Sequence, residues 1–236
     1  MTLEHLQGLL LVDKPGGITS HDVVLKVRRL FGKAKVGHTG TLDPMADGLL
    51  ILLIGSATKC AALYQKLSKV YCGKIRMGIE TDSGDLDGKI IRQSPVPSLS
   101  SEKIQRAMTS FLGPQEIMPP VYSAIKYNGK PLYTYARKGI AVPLKNRPCN
   151  IYEWKLLSWD APEAQFRLHC SQGTYARSLA VELGRTFNAP AVLSQLRREK
   201  IGSYHVSQAL PYESLSRLSD SELNSSILPV DLSAIA

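Results

Sequence analysis

The stretch that decides the fold is residues 37–54, which read GHTGTLDPMADGLLILLI. Its first twelve residues are polar and rich in turn-forming types, which disfavours both a core segment and a helix. Six apolar residues, 49–54, follow without a break, and such a run after turn signals is typical of a buried strand. Asp43 therefore lies on a loop anchored by a buried strand, which makes its carboxylate a candidate for chemistry. The alternative is an ordinary turn, because Asp-Pro is a common turn dipeptide whose carboxylate often accepts from nearby amides.

The residues on either side predict a series of short elements. Residues 8–12 are typical of a buried strand, and Thr19 with Asp22 matches the capping-box pattern at the start of a helix. Residues 69–79 alternate in character with a period of two, which predicts a strand. That alternation places Tyr71 on the inward face, at the start of the strand.

Further elements are predicted downstream, namely helices near 101–112, 131–139, 174–187 and 190–197, and strands at 151–157, 164–170 and 201–206. Arg177 falls in the first turn of its helix. Strands and helices alternate irregularly, with hairpins among them, and this order favours an α+β fold with a mixed, largely antiparallel sheet over a doubly wound parallel one. We expect a single domain over residues 1–236, with an insertion at about 117–148.

The charge of the chain points to a polyanionic partner. Its 236 residues carry a formal net charge of +9. Residues 121–152 contain six basic residues, five tyrosines and no acidic residue. Cations bind phosphates and phenol rings stack on unpaired bases, so residues 117–148, here called the basic insertion, predict contact with a nucleic acid. The alternative is a solvated basic face with tyrosines in the core.

Several other classes of protein are disfavoured by the sequence. The four cysteines, at positions 60, 72, 149 and 170, form no CxxC pair, so we expect neither a zinc site nor a disulfide framework. No apolar run approaches the ~20 residues that span a bilayer. The first residues also lack the pattern of a signal peptide. These features predict a cytoplasmic protein.

Two stretches approach known ligand-binding motifs and fail at a decisive position. GKAKVGHT at 32–39 has His38 where a phosphate-binding loop needs lysine, and it follows a predicted helix instead of a strand. DSGDLDG at 82–88 resembles a calcium loop, but the final ligand position holds Ser94 instead of glutamate. We therefore expect neither nucleotide hydrolysis nor a calcium site, although Asp85 could still hydrogen-bond within a site.

Several stretches resemble, in the right order, the motifs of the TruB family of bacterial tRNA pseudouridine-55 synthases. They are LLLVDKPGGITSHDVV at 9–24, GHTGTLDPMADGLL at 37–50, SKVYCGKIRMGIETDSGDLDG at 68–88, PPVYSAIKYNGKPLYTYARKGI at 119–140, CSQGTYARSLA at 170–180 and LRREKIG at 196–202. The resemblance covers about residues 8–233. Met45 and Asp47 depart from it, since the family commonly has leucine and threonine there, and Asp47 adds a negative charge.

The resemblance implies isomerisation of uridine to pseudouridine at position 55, in the T-loop of tRNA. It implies that Asp43 is the essential carboxylate at the sugar carbon. Tyr71 would stack on the base and take the proton that leaves C5. Arg177 would pair with Asp43 and favour its ionised form. Since the reaction exchanges no electrons, neither a cofactor nor a metal is implied.

The same resemblance implies how the substrate is bound. The target base must leave its stack before a carboxylate can reach the sugar, so base flipping is expected. His38 would help to fill the vacated place, and Tyr175 and Leu196 would line the uracil pocket. The weaker candidates, for positioning the opening motif or contacting RNA phosphates, are Lys14, Lys59, Lys126 and Lys130.

The implied fold is that of the pseudouridine synthases, a central sheet flanked by helices, with the basic insertion as a mobile thumb. The implied partner is the T-arm of tRNA, with no obligate protein partner and a monomeric state. Many relatives continue past LPVDLSAIA into a small RNA-binding domain called PUA, which we do not expect here. Two alternatives stay open: an enzyme of the same chemistry that depends on a guide RNA and protein partners, and a non-catalytic RNA-binding or tRNA-folding module.

Overall fold

The computed structural model describes residues 7–32 and 34–230. The chain forms two compact units, one of Met1–Tyr71 with Leu196–Ala236 and one of Cys72–Gln195, here called the first and second unit. The two ends of the expected single domain, residues 1–6 and 231–236, lie outside the described residues, as does residue 33.

The elements run in chain order. The first are β1 (Gly8–Lys14), α1 (Ser20–Leu30), β2 (Val36–His38), β3 (Asp47–Ile54), α2 (Ala61–Lys66), β4 (Lys69–Met77), β5 (Ile79–Thr81), β6 (Ile90–Gln93), α3 (Ser101–Thr109) and β7 (Gly113–Ile117). They are followed by β8 (Lys126–Tyr127), β9 (Lys130–Pro131), α4 (Leu132–Ala136), β10 (Arg147–Asp160), β11 (Glu163–Cys170), α5 (Ala176–Thr186), β12 (Ala191–Ile201), β13 (Tyr204–His205), β14 (Leu210–Pro211) and α6 (Asp220–Ser225).

β3 is the central strand of the first unit. The strand order in this unit is β14–β1–β3–β12, with β2 also paired to β3 and β13 to β12. β3 runs antiparallel to β1 and β2 and parallel to β12. Every residue from Leu49 to Ile54 is fully buried, which confirms the strand predicted from the apolar run. A strand that is covered on both faces needs apolar residues at every position, not at alternate ones.

The side chains of β3 divide between two cores. One face packs with α1, in a cluster that includes Val23, Val24, Val27, Leu50, Leu52 and Ile54. The other face packs with α2 and β13, in a cluster that includes Leu49, Ile51, Leu53, Tyr64 and Tyr204. Complete burial of one such aliphatic side chain stabilises the fold by roughly 1.5–3 kcal/mol, so these two clusters dominate the stability of the unit.

α1 begins where the capping-box pattern predicts. Thr19 is its N-cap, and its hydroxyl accepts from the Asp22 amide while the Asp22 carboxylate accepts from the Thr19 amide. These reciprocal bonds satisfy two of the amides that a helix start leaves open. The entry of the chain into α1 is thereby fixed directly after the DKPGG turn.

The second unit is a mostly antiparallel sheet covered by α3 and α5. Its strand order is β12–β4–β11–β10–β7, with β5–β6 and β8–β9 as separate two-stranded hairpins. β10 is antiparallel to both β11 and β7. Gln105 of α3 is hydrogen-bonded to the backbone of Trp154 and Leu156 in β10, at 3.1 and 2.7 Å. The predicted mixed, largely antiparallel α+β fold is confirmed.

The helix predicted near 190–197 is wrong, because these residues belong to strand β12. Leu, Gln and Arg are good helix formers, and that local preference suggested a helix. Here β12 lies between β3 and β4 in the strand order, and Ala191, Val192 and Leu193 are fully buried or nearly so. Pairing with distant strands thus overrides the local preference.

Within residues 7–32 and 34–230, no helix combines the length and the apolar character needed to cross a bilayer.

Candidate active site

The loop that carries Asp43 is fastened to β3 at both ends. On the incoming side, Gly37 and His38 of β2 pair with Leu53 and Leu52 of β3. The Thr39 amide then donates to the Ile51 carbonyl at 3.1 Å. On the outgoing side the loop continues directly into β3 at Asp47. The buried strand therefore limits the movement of the polar loop.

The residue before Asp43 is anchored on α1. The Leu42 amide donates to Ser20 Oγ at 2.8 Å, and Ser20 Oγ lies 3.1 Å from the Leu42 carbonyl oxygen, to which it donates. Leu42 is buried, whereas Asp43 is half-buried. The Ala46 amide donates to the Asp43 carbonyl at 3.1 Å, which closes the Asp-Pro turn. The turn thus presents the carboxylate beside a fixed backbone.

Lys14 fastens the DKPGG turn to the same loop. Its side chain is fully buried, and Nζ donates to the carbonyls of Pro15 and Ile18, each at 2.8 Å, and of Pro44 at 3.4 Å. Burial lowers the pKa of Lys14 from 10.5 to about 8, against the opposing effect of the Asp47 and Asp43 charges. The ammonium thus donates to main-chain carbonyls, which suits a role in positioning the loop. Because the side chain is buried, Lys14 does not belong to the exposed cations.

Arg198 lies beneath the loop and was not singled out from the sequence. It is 1% exposed, and its Nε donates to the Leu49 carbonyl at 2.7 Å. Its Nη2 and Nη1 donate to the carbonyls of Gly40 and Thr41, at 3.1 and 3.5 Å. Burial lowers the pKa of Arg198, while a hydrogen bond to the Tyr71 side chain and the charge of Asp43 act in the opposite direction.

The backbone of Arg198 approaches β3 so closely that only glycine can stand opposite. Arg198 is paired with Gly48, whose φ of 102° lies in the region that L side chains rarely adopt. A Cβ at this position would overlap the main chain of Arg198. Gly48 is therefore required both by its conformation and by the approach of the two strands.

Arg197, the next residue, bridges β1 and β3. It donates to both carboxylate oxygens of Asp13, at 3.1 and 2.7 Å, and to Asp47 Oδ1 at 2.6 Å. The hydrogen bonds that Arg197 donates to Asp13, and then to Asp47, raise its pKa against the opposing effect of burial, so the guanidinium keeps its charge. The extra negative charge of Asp47, which departs from the family pattern, thus has a partner.

His38, at the end of β2, directly precedes the loop. Burial, and then the charges of Arg198 and His21, lower its pKa. Its Nδ1 is buried and accepts no hydrogen bond from any residue that the structure describes. Leu196, of β12, is also buried, at 8% exposure. Tyr71 is half-buried at the start of β4, as the alternation predicts for the beginning of an inward-facing row.

Arg177 lies in the first turn of α5, as predicted, and is 3% exposed. Its Nη1 donates to the Ser83 carbonyl and its Nη2 to the Tyr122 carbonyl, both at 2.9 Å. Its Nε lies 3.7 Å from Asp85 Oδ2, and Asp85 is itself held by Ser83 Oγ at 2.6 Å. Ser83 and Asp85 of the DSGDLDG turn thus bind the Arg177 guanidinium. No cluster of three or more metal-ligating side chains occurs within residues 7–32 and 34–230.

The first turn of α5 also holds the start of the basic insertion. Ser178 Oγ donates to the Met118 carbonyl at 2.7 Å, next to the bond from Arg177 to Tyr122. Tyr175, directly before α5, is half-buried. The insertion itself contains the β8–β9 hairpin, whose turn residues Asn128 and Gly129 both have positive φ, as a tight hairpin requires.

The cations of the basic insertion face the solvent. The exposed side chains are those of Lys126, Lys130, Arg137, Lys138, Lys145 and Arg147. Tyr127 and Tyr135 pack edge to face at 5.8 Å, so they support the insertion's own structure. Tyr133 is 38% exposed and can meet a ligand. Lys59, in the first unit, is exposed too.

Comparison with known proteins identifies the family. The model of the TruB family of pseudouridylate synthases, N-terminal domain, matches residues 28–176, a range that contains Asp43 and Tyr71 and stops one residue before Arg177. Relatives named tRNA pseudouridine synthase B include that of Endomicrobium trichonymphae, 45% identical over 209 residues that cover 89% of this chain and 91% of that protein. The one from Opitutus terrae is 42% identical and covers 96% of this chain and 94% of that protein.

A solved structure confirms the fold. A chain of the crystal structure of a Cbf5–Nop10–Gar1 complex superposes with a TM-score of 0.74 at 24% identity, over 97% of this chain and 61% of that chain. At this identity the likeness concerns the fold alone. The sequence matches and the fold agree with the resemblance inferred from the motifs: the chain belongs to the TruB family of pseudouridylate synthases and is an isomerase.

Proposed function

We propose that this enzyme converts the uridine at position 55, in the T-loop of tRNA, to pseudouridine. Relatives of similar length that carry the name tRNA pseudouridine synthase B support tRNA as the substrate. The observation that carries the proposal is the placement of Asp43, which directly follows the buried and doubly bonded Leu42. A carboxylate beside so well fixed a backbone is suited to attack at one defined carbon.

Uridine and pseudouridine are isomers, so the reaction moves one bond and one proton. The N1–C1′ bond breaks while Asp43 acts on the sugar, either by adding to C1′ and leaving again when C5 bonds there, or by taking the C2′ proton to form a glycal and returning it when C5 bonds to C1′. The uracil turns, and C5 bonds to C1′. C5 then loses its proton and N1 ends with one, so that atoms and charge balance. We assign to Tyr71 the acceptance of the C5 proton, directly or through water.

For Arg177 we propose an ion pair with Asp43. The guanidinium is held by the carbonyls of Ser83 and Tyr122 and faces Asp85 through its Nε. A positive charge near a carboxylate favours its ionised form, which is the form that attacks. Arg177 would thus maintain the nucleophile in its active state throughout the reaction.

His38 is proposed to occupy the space that the flipped uridine leaves. Its lowered pKa makes the imidazole neutral, and its buried Nδ1 is open to a new hydrogen bond. An uncharged ring replaces a base with a smaller desolvation cost than a cation would. Tyr175 and Leu196 are proposed to line the pocket that receives the uracil.

The RNA backbone is proposed to contact Lys126 and Lys130 on the basic insertion and Lys59 in the first unit, since all three are exposed. Lys14 has the positioning role described above instead. We further propose that the enzyme works in the cytoplasm as a monomer, without a cofactor and without a protein partner.

The test is conversion of a tRNA transcript by the purified protein alone, read by mass-spectrometric mapping of the modified nucleotide. We expect stoichiometric pseudouridine at position 55 with the wild type. Asp43→Asn should give no product, because the amide cannot act as the carboxylate does at the sugar, while RNA affinity stays within about threefold, because the amide has nearly the shape of the carboxylate that it replaces. Asp160→Asn, at an exposed position, is the matched control.

Three results would contradict the proposal: product from Asp43→Asn, modification at another position, or conversion only after guide RNA or further proteins are added. Tight binding of a T-arm hairpin without any conversion by the wild type would instead favour a non-catalytic RNA-binding module.

A further inference from the structure

Arg198 is a buried cation whose contacts surround the loop that carries Asp43. A charge removed from water is costly unless its donors are satisfied. Its Nε and Nη2 donate to Leu49 and Gly40, one acceptor after Asp43 in the chain and one before it. The two ends of the loop are therefore held at a fixed distance by one rigid, planar group.

The same guanidinium is hydrogen-bonded to the Tyr71 side chain and feels the charge of Asp43. Tyr71 lies 28 positions after Asp43 in the chain and belongs to another element, β4. Hence Arg198 joins the loop of the proposed nucleophile to the side chain that is proposed to accept the C5 proton. These contacts all lie within the first unit.

We propose that Arg198 is a positioning residue for catalysis, which orients the Tyr71 hydroxyl relative to the Asp43 loop. The inference rests on the proposed function, because it concerns how the two reacting groups are aligned. It differs from a purely structural role in one respect: part of the effect of Arg198 on the rate passes through the Tyr71 hydroxyl.

The geometry requires arginine and excludes lysine. Guanidinium donors leave a plane in several directions, and here separate nitrogens reach Leu49, Gly40 and Thr41. A lysine ammonium is a single point on a flexible stem and cannot reach acceptors on both sides of the loop and Tyr71 together. Arg198→Lys therefore retains the charge and loses the alignment.

The experiment is a double-mutant cycle in single-turnover reactions with enzyme in excess over a T-arm RNA. The variants are Arg198→Lys, Tyr71→Phe and the double variant, with Arg217→Lys as the matched control at an exposed site of the same unit. We expect Arg198→Lys to lower the rate by about a hundredfold, with RNA affinity within about threefold, as loss of alignment does. In the Tyr71→Phe background the same change should cost at most about tenfold, because the hydroxyl that it orients is absent.

A second measurement does not depend on activity. In protein labelled with ¹³Cζ-tyrosine, the Tyr71 signal is the one that disappears in Tyr71→Phe. The chemical shift of this signal should change in Arg198→Lys and remain unchanged in Arg217→Lys. An unmoved signal, a wild-type rate in Arg198→Lys, or equal costs of the change with and without the hydroxyl would each overturn the proposal. If the wild type made no pseudouridine, the proposed function would fail, whereas the NMR result would still decide whether Arg198 orients Tyr71.

Discussion

Ser20 and Leu42 are joined by two hydrogen bonds, one in each direction between the Ser20 hydroxyl and the Leu42 backbone. Both residues are buried. The first residue of α1 therefore fixes the residue that precedes the proposed nucleophile, and the position of the carboxylate depends on a helix that has no part in the chemistry.

Ser20→Ala should lower both stability and rate. Removing the hydroxyl leaves a buried amide and a buried carbonyl without this partner, which costs about 1–3 kcal/mol of unfolding free energy. The single-turnover rate should fall by about tenfold, since Leu42, which directly precedes Asp43, loses its anchor on α1. Urea unfolding and single-turnover kinetics measure the two effects, with exposed Ser216→Ala as the control. An unchanged rate in a destabilised variant would show that the anchor serves folding alone.

Asp13→Asn should destabilise the protein more than Asp47→Asn. Arg197 donates to both oxygens of Asp13 but to one of Asp47, and bidentate pairs are the stronger kind. Because the Arg197 side chain is 42% exposed, we expect a loss below about 1 kcal/mol for Asp47→Asn. Urea unfolding at low and high salt checks the order, and equal losses would contradict it.

The buried ammonium of Lys14 should make stability depend on alkaline pH. The pKa of Lys14 is about 8 in the folded protein, whereas in the unfolded chain it has the ordinary value of 10.5. Between these two pH values the unfolded state therefore binds more protons than the folded state. The contribution of Lys14 to the free energy of unfolding therefore rises with pH across that window, by up to about 3 kcal/mol. Below pH 8 the folded protein bears the full cost of burying the charged ammonium. The measurement is the difference in urea stability between wild type and Lys14→Met from pH 7 to 10.5. A flat difference would mean that Lys14 titrates normally.

Asp85→Asn should destabilise the second unit. Arg177 and Asp85 have side chains that are 3% and 8% exposed, and a buried cation that loses its carboxylate costs about 3 kcal/mol or more. Asp87→Asn, in the same turn but exposed, is the control. Urea unfolding should separate the two variants clearly, and equal stabilities would show that the main-chain bonds to Arg177 suffice.

The cations of the basic insertion should determine the salt dependence of RNA binding. Lys126→Gln and Lys130→Gln should each lower the slope of log affinity against log salt by about 0.9 if the contact is to a duplex phosphate. Lys103→Gln, an exposed lysine of α3, should leave the slope unchanged. Loss of affinity without a change of slope would exclude a phosphate contact.

The sequence revealed what is local. The Thr19 cap, the buried run of β3 and the position of Arg177 in the first turn of α5 all depend on neighbouring residues, and each was predicted. The family motifs were equally visible because they are contiguous. What escaped prediction depends on contacts between distant segments.

β12 and Arg198 show why. The helix formers of β12 become a strand only because β3 and β4 flank it in the strand order, and nothing within the segment records those partners. Arg198 meets Leu49 across 149 positions, so its burial could not be read from its surroundings in the chain. A basic residue two positions after Leu196, on the same face of a strand, was the available signal. Lys14 was expected among the positioning or RNA-contacting lysines, but its enclosure by carbonyls needed the folded loop.

The bond between Arg177 and the Tyr122 carbonyl has a mechanical consequence. Arg177 is hydrogen-bonded to the start of the segment that carries the exposed lysines, and Ser178 adds a second hydrogen bond there, to the Met118 carbonyl. A hydrogen bond tolerates only a few tenths of an ångström of stretch. The start of the basic insertion therefore cannot shift without moving the guanidinium or breaking its bond to Tyr122. A displacement of the segment that carries the exposed lysines is thereby transmitted to the buried guanidinium at the start of α5.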